Sequence, residues 1–183
     1  MATTLLSAAS RAGLDALFRR AAAANIGPTP QRAPDVVAVA SPHPPAADCV
    51  GVLAFTITSF RFRLVVMLGV NAGVLEWDDP DAEAGRRAAI DALAERGNMA
   101  CGEMARDLAR GGRHVGLSTP TWLRASASPL LEASAPQHLS AFELRLDNGA
   151  HLDAWVALRA YAPIEFDTLV AASADSAGEL ELF

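Results

Sequence analysis

No lysine occurs in this 183-residue chain, so its 15 basic side chains are all arginine. They are outnumbered by 21 carboxylates, giving a net charge of −6 and a pI near 5.1. That balance excludes a general nucleic-acid-binding surface, which needs clustered Lys and Arg to neutralise phosphates. It suits a partner with an exposed basic group. Long apolar runs are also missing. Mean hydropathy is +0.21, yet no stretch approaches the roughly 18 apolar residues that mark a membrane span, and no membrane association is expected. Cysteine is scarce. Cys49 and Cys101 form neither a metal-binding nor a redox spacing. His43, His114, His138 and His151 are scattered, without a ligand pattern around them. Neither a Gly-rich phosphate loop nor a nucleophile elbow is present.

The composition, 51% hydrophobic and 20% charged, suits one globular domain with a sizeable core. Residues 1–24 read as a helix whose apolar residues are Leu5, Leu6, Leu14, Leu17 and Phe18, with Arg11, Arg19 and Arg20 facing water. An amphipathic, Arg-bearing start also resembles a transit peptide, but Asp15 and the lack of a cleavage pattern favour a structural helix. No charged segment precedes an apolar block, so a cytoplasmic protein is expected. Residues 25–48 carry six of the 11 prolines and read as a connector, with one short strand at Val36, Val37 and Val39.

Residues 50–77 are β. Phe60, Phe62, Leu64, Val66 and Leu68 alternate with Arg61 and Arg63, the period-2 pattern of a half-buried strand. A turn near Thr58-Ser59 splits this region, and Asn71-Ala72-Gly73 breaks it before Val74 to Trp77. Val115 to Leu123 is a strand interrupted near Pro120, and 124–137 is a loop or short helix. Leu139 to Leu146 and His151 to Ala160 are strands joined by Asp147-Asn148-Gly149, a strong hairpin signal. Residues 163–172 form a short apolar element, and an acidic tail starts at Ser173.

The longest helical signal runs from Asp79 to Gly112. Ile90, Leu93, Gly97, Cys101, Met104 and Leu108 recur at steps of three and four residues, the repeat of one buried helix face. Asp79-Pro80 marks its start, and Arg106, Arg110 and Gly111-Gly112 mark its end. Asp91, Glu95, Asn98 and Gly102 fall roughly 100–160° away from the stripe at about 100° per residue. A carboxylate and an amide three residues apart therefore project from one flank. Gly97, on the buried side, is expected to let a neighbouring backbone approach, and Gly102 to leave room for a partner. On spacing alone, Glu95 and Asn98 describe an ordinary solvated face.

The segment Glu95-Arg96-Gly97-Asn98-Met99-Ala100-Cys101-Gly102 resembles the Glu-x-x-Asn-x-x-x-Gly signature helix of CheX-type chemotaxis phosphatases. Leu117-Ser118-Thr119-Pro120-Thr121 resembles the strand that follows this helix in the family, and the likeness spans about residues 50–160. Arg96 departs from the apolar residue found there in the family. No second Glu-x-x-Asn segment occurs, which is closer to the single-site CheX type than to the duplicated CheC type.

The resemblance implies an α+β fold, a mainly antiparallel sheet packed by two long helices. It divides the chain into an N-terminal helix and Pro-rich connector (1–48), a CheX-like domain (49–172) and an acidic tail (173–183). It implies hydrolysis of the phosphoaspartate of a CheY-like response regulator, with Asn98 positioning water and Glu95 pairing with the partner's lysine. Asp91 and Gly102 would contribute to partner binding. No cofactor of its own is implied, since Mg²⁺ would be carried by the phosphorylated partner. The family likeness also raises a homodimer through sheet edges. The alternatives are a non-catalytic docking module for a response regulator and a dimerisation module of the same fold.

Overall fold

The computed structural model describes residues 4–27, 32–40, 44–75, 84–110, 113–127 and 129–166. Helix α1 spans Ala8–Asn25, and strand β1 spans Asp35–Val39. Strands β2 (Cys49–Thr58) and β3 (Phe62–Asn71) form a hairpin, followed by one helical turn, α2 (Ala72–Leu75). The long helix α3 spans Ala84–Ala109. Two short strands follow, β4 (Gly116–Leu117) and β5 (Thr121–Leu123), then a 3-10 turn at Ala125–Ala127 and helix α4 (Pro129–Ala133). Strands β6 (His138–Arg145) and β7 (His151–Ala160) complete the order. The fold is α+β, as expected. The Asp79-Pro80 start of the long helix, its Gly111-Gly112 end and the acidic tail lie outside the described residues.

The strands form one sheet in the order β1-β6-β7-β3-β2, with β4 and β5 both on the outer edge of β2. Every pairing is antiparallel. The β6–β7 hairpin turns as its sequence requires. Gly149 takes φ +83°, which glycine adopts without the Cβ clash other residues suffer. Around it, the Leu146 N–H donates to the Ala150 carbonyl at 2.8 Å, and the Ala150 N–H to Asn148 Oδ1 at 3.0 Å. The first hairpin turns at 59–61, without glycine. Its tip residue Phe60 is 91% exposed and is not the inward strand position that alternation suggested. Val74 and Leu75 also depart from the strand pattern. They form a helical turn that tucks both side chains into the core.

Alternation divides the sheet into two faces. Phe55, Ile57, Leu64, Val66, Phe142, Leu144, Val156 and Leu158 point to the face covered by α1 and α3, and all are essentially buried. Each such side chain contributes about 1.5–3 kcal/mol relative to exposure. The opposite face carries a second apolar cluster, built from Val52, Met67, Trp155, Ala157 and Leu131 of α4.

The N-terminal elements are integrated with this core and not appended to it. Strand β1 pairs with β6 along its length. Ser7 caps α1, its Oγ accepting from the Ser10 N–H at 3.1 Å. Leu14, Leu17, Phe18 and Ala21 are buried, and the Phe18 ring meets Phe142 at 4.8 Å between centroids. Arg20, expected to face water, instead crosses to α3. Its Nε donates to Glu103 Oε1 at 3.2 Å and its Nη2 to the nearly buried Asp107. Asn25 Nδ2 donates to the other oxygen of Glu103 at 2.8 Å. On its sheet side, Asp15 accepts from Ser140 Oγ at 2.7 Å and meets His138 Nε2 at 2.7 Å. Among the described residues, no helix is long and apolar enough to cross a membrane.

Burial in this core pushes the Cys101 thiol from an ordinary 9.0 up to about 12. The unfolded chain gives up that proton near pH 9 while the fold retains it, so stability is intact below pH 9 and falls as pH rises toward 12. No lysine titrates in that range, but burial also pushes the Cys49 thiol up, and it adds to the slope in the same direction. Urea denaturation is expected to show about 2 kcal/mol lost between pH 9 and pH 11. Cys101→Ala lowers stability at neutral pH but flattens this slope; an unchanged slope in that variant would show that the thiol is not its source.

Candidate functional site

Helix α3 is fixed against the sheet by small and apolar residues on one side. Leu93, Cys101, Met104 and Leu108 are buried as the sequence stripe predicts, Ile90 at its start is only half-buried, and Ala100 joins the buried side. Gly97 sits at the middle of this contact. A Cβ added there would lie 2.4 Å from Cζ of Phe55, a buried ring of β2. The close neighbour at Gly97 is therefore an aromatic side chain and not the backbone expected from sequence. A glycine is demanded because the ring occupies the space a methyl group would need.

This seating turns the opposite flank of α3 outward. Asp91 and Glu95 are exposed, and Asn98 is half-buried one turn on from Glu95. Gly102 is half-buried, and a Cβ added there would meet only Arg106 Nη1, at 3.9 Å. Nothing among the described residues requires glycine at that position. The four sequence-derived residues thus share one helix flank.

Their electrostatic situations differ. The carboxylates of α3 are Asp91, Glu95, Glu103 and Asp107. Asp91 accepts from Arg87 Nε one turn away at 3.3 Å, an exposed pair of small energetic weight. Glu103 is held by Arg20 and Asn25. Asp107 is held by Arg20 and by Arg110, the latter at 3.0 Å. The Glu95 side chain makes no hydrogen bond or ion pair among the described residues, and neither does the Asn98 side chain. Among the described residues, no group of three His, Cys, Asp or Glu side chains converges closely enough to hold a metal ion.

One residue of this flank was missed in the sequence. Met99 follows Asn98 and is 52% exposed. It lies within about 40° of Glu95 around the helix. An apolar side chain interrupting a polar helix flank was the available signal, and adaptable methionines suit a contact surface.

Several solved structures share this architecture, three of which follow. CheX from Vibrio vulnificus superposes with a TM-score of 0.55 at 13% identity, over 81% of this chain and 98% of that one. A CheC-like superfamily protein from Shewanella sp. PV-4 gives 0.54 at 8% identity, over 84% and 99%. CheX from Borrelia burgdorferi, solved in a complex with CheY, BeF3 and Mg²⁺, gives 0.52 at 13% identity, over 80% and 93%. At these identities the likeness establishes the fold, which is CheX/CheC-like. No protein-family model matches the sequence, and no curated protein does.

Gly97 and Gly102 of α3 are expected to respond oppositely to alanine. Gly97→Ala drives a methyl group into the Phe55 ring and destabilises the protein by about 1–3 kcal/mol. Gly102→Ala adds a methyl group to open surface and recovers helix propensity, stabilising by roughly 0.5–1 kcal/mol. Urea denaturation of both variants checks the pair. A loss of stability in Gly102→Ala would show that this position is packed within the chain.

Proposed function

We propose that this chain is a CheX-type phosphatase that hydrolyses the phosphoaspartate of a CheY-like response regulator docked on the outer flank of α3. The observation that carries this reading is the pairing of Glu95 with Asn98. They stand one helix turn apart on a CheX/CheC-like fold, both without partners among the described residues. A solvated flank does not require its carboxylate to be unpaired while Asp91, Glu103 and Asp107 on the same helix are all engaged.

The roles follow from chemistry. The phosphoaspartate and the Mg²⁺ that neutralises its oxygens belong to the regulator. Hydrolysis then needs a water held in line with phosphorus, and positioning supplies most of the catalysis in phosphoryl transfer. The Asn98 amide offers both a donor and an acceptor to orient that water. Glu95 supplies a charge-assisted contact to a regulator lysine and fixes the register of the helix on its partner. Gly102 lets the partner surface approach, Asp91 extends the anionic edge, and Met99 gives the flank an apolar contact. The acidic balance of the chain agrees with a partner that presents a basic group. This reading also puts the protein in the cytoplasm, together with its regulator.

The test is phosphate release from a phosphorylated, Mg²⁺-loaded CheY-like regulator. The wild-type chain is expected to accelerate it. Asn98→Ala is expected to lower that acceleration by about 100-fold or more while regulator binding persists. Glu95→Ala is expected to weaken binding by roughly 10–100-fold. Hydrolysis at the wild-type rate in Asn98→Ala would overturn the assignment. Phosphorylation-dependent binding without any acceleration would leave a docking module.

A further inference from the structure

The sheet face opposite α1 and α3 carries a cleft of about 510 Å³, lined also by Thr121, Leu123, Leu130, Leu131 and Ser134. Its volume falls within the usual range for small-molecule sites. The strand register orders its lining into rungs. At one end Arg63 of β3 stands directly opposite Arg159 of β7. Two residues on, Val65 faces Ala157. Two further on, Met67 faces Ala54 of β2 on one side and Trp155 of β7 on the other. Leu131 of α4 closes this end as part of the second apolar cluster. The cleft therefore runs from a cationic end to an apolar end, about 13 Å apart at 3.3 Å per residue.

The cationic rung stands out on physical grounds. Side chains directly opposite on antiparallel strands have Cβ atoms about 4.5–5.5 Å apart, and like charges there repel. Arg159 Nη1 donates to the Ser134 carbonyl at 2.7 Å, which anchors its guanidinium without neutralising it. The Arg63 guanidinium has no hydrogen bond or ion pair among the described residues. No Asp or Glu is among the described residues that line the cleft, although the chain as a whole is acidic. An uncompensated arginine pair at one end of an apolar trough is complementary to a single chemistry, an anionic head on an apolar body.

We propose that this cleft binds an amphipathic carboxylate. Its head bridges Arg63 and Arg159, with Tyr161 at the same rim. Its apolar chain lies along Val65, Ala157 and Met67 beneath Leu131. The site lies across the sheet from the outer flank of α3 and is independent of the phosphatase reading.

Isothermal titration of the full chain with sodium dodecanoate, below its micellar concentration, tests this. Dodecanoate is expected to saturate at one molecule per chain. Dodecyltrimethylammonium tests the head and acetate tests the tail, and each is expected to bind at least 100-fold more weakly. Arg63→Gln combined with Arg159→Gln is expected to lower dodecanoate affinity at least tenfold. That change removes a repulsion but also the Arg159 bond to the Ser134 carbonyl, so circular dichroism checks that the double variant is folded. Equal binding of the cationic detergent, uptake without saturation, no binding, or unchanged affinity in a folded double variant would each overturn the proposal. If the double variant fails to fold, the comparison of head groups on the wild-type chain decides the matter alone.

Discussion

The seating of Gly97 of α3 against the Phe55 ring of β2 governs what the molecule presents to its surroundings. Phe55 is fully buried, and its ring atoms occupy the place of the absent Cβ. Because each residue turns a helix by about 100°, a shift of one position at this contact would rotate the outward flank by the same angle. Fixing Gly97 inward thereby fixes Glu95 and Asn98 outward. The buried neighbours Leu93, Cys101, Met104 and Leu108 extend the seam along the helix and oppose such a rotation.

A second tie makes the same choice from the side. The Arg20 fork across Glu103 and Asp107, reinforced by Asn25 on Glu103, joins α1 to the C-terminal half of α3. Asp15 joins α1 in turn to β6 through Ser140 and His138. The N-terminal helix is thus part of the frame that holds the candidate site. These contacts also consume the polar groups near the site selectively. They engage Glu103 and Asp107 and leave Glu95 unpaired among the described residues. The arrangement sorts the carboxylates of one helix into structural ones and an available one.

Local periodicity made much of this readable in advance. The stripe of α3, the alternation of β3 and β6 and the Asn148-Gly149 turn depend on neighbours within a few residues, and all three are present in the structure. The features that escaped depend on contacts distant in sequence. Nothing local to Gly97 names Phe55 as its neighbour, and nothing local to Arg20 names Asp107. Phe60 satisfied the strand alternation yet lies at the hairpin tip, because alternation does not say where a strand ends. Val74 and Leu75 read as strand by composition, but they pack into the core from a helical turn. The arginine-lined cleft was invisible for the same reason. Arg63 and Arg159 are 96 positions apart and meet only through the register of β3 on β7. For the site, Glu95, Asn98 and Gly102 were legible as one helix flank. Their freedom from internal partners required the structure.

The most direct test of the docking surface exploits the missing lysine. A zero-length carbodiimide joins carboxylates to amines, and this chain contributes no lysine amine of its own. Its carboxylates can therefore form lysine crosslinks only to a partner. The chain would be mixed with a beryllofluoride-activated, Mg²⁺-loaded CheY-like regulator, crosslinked, and mapped by mass spectrometry. The account predicts a crosslink from Glu95 to a regulator lysine that appears only with the activated regulator. Activation-dependent crosslinks confined to distant carboxylates such as Glu143 or Asp147, with Glu95 unlinked, would contradict it.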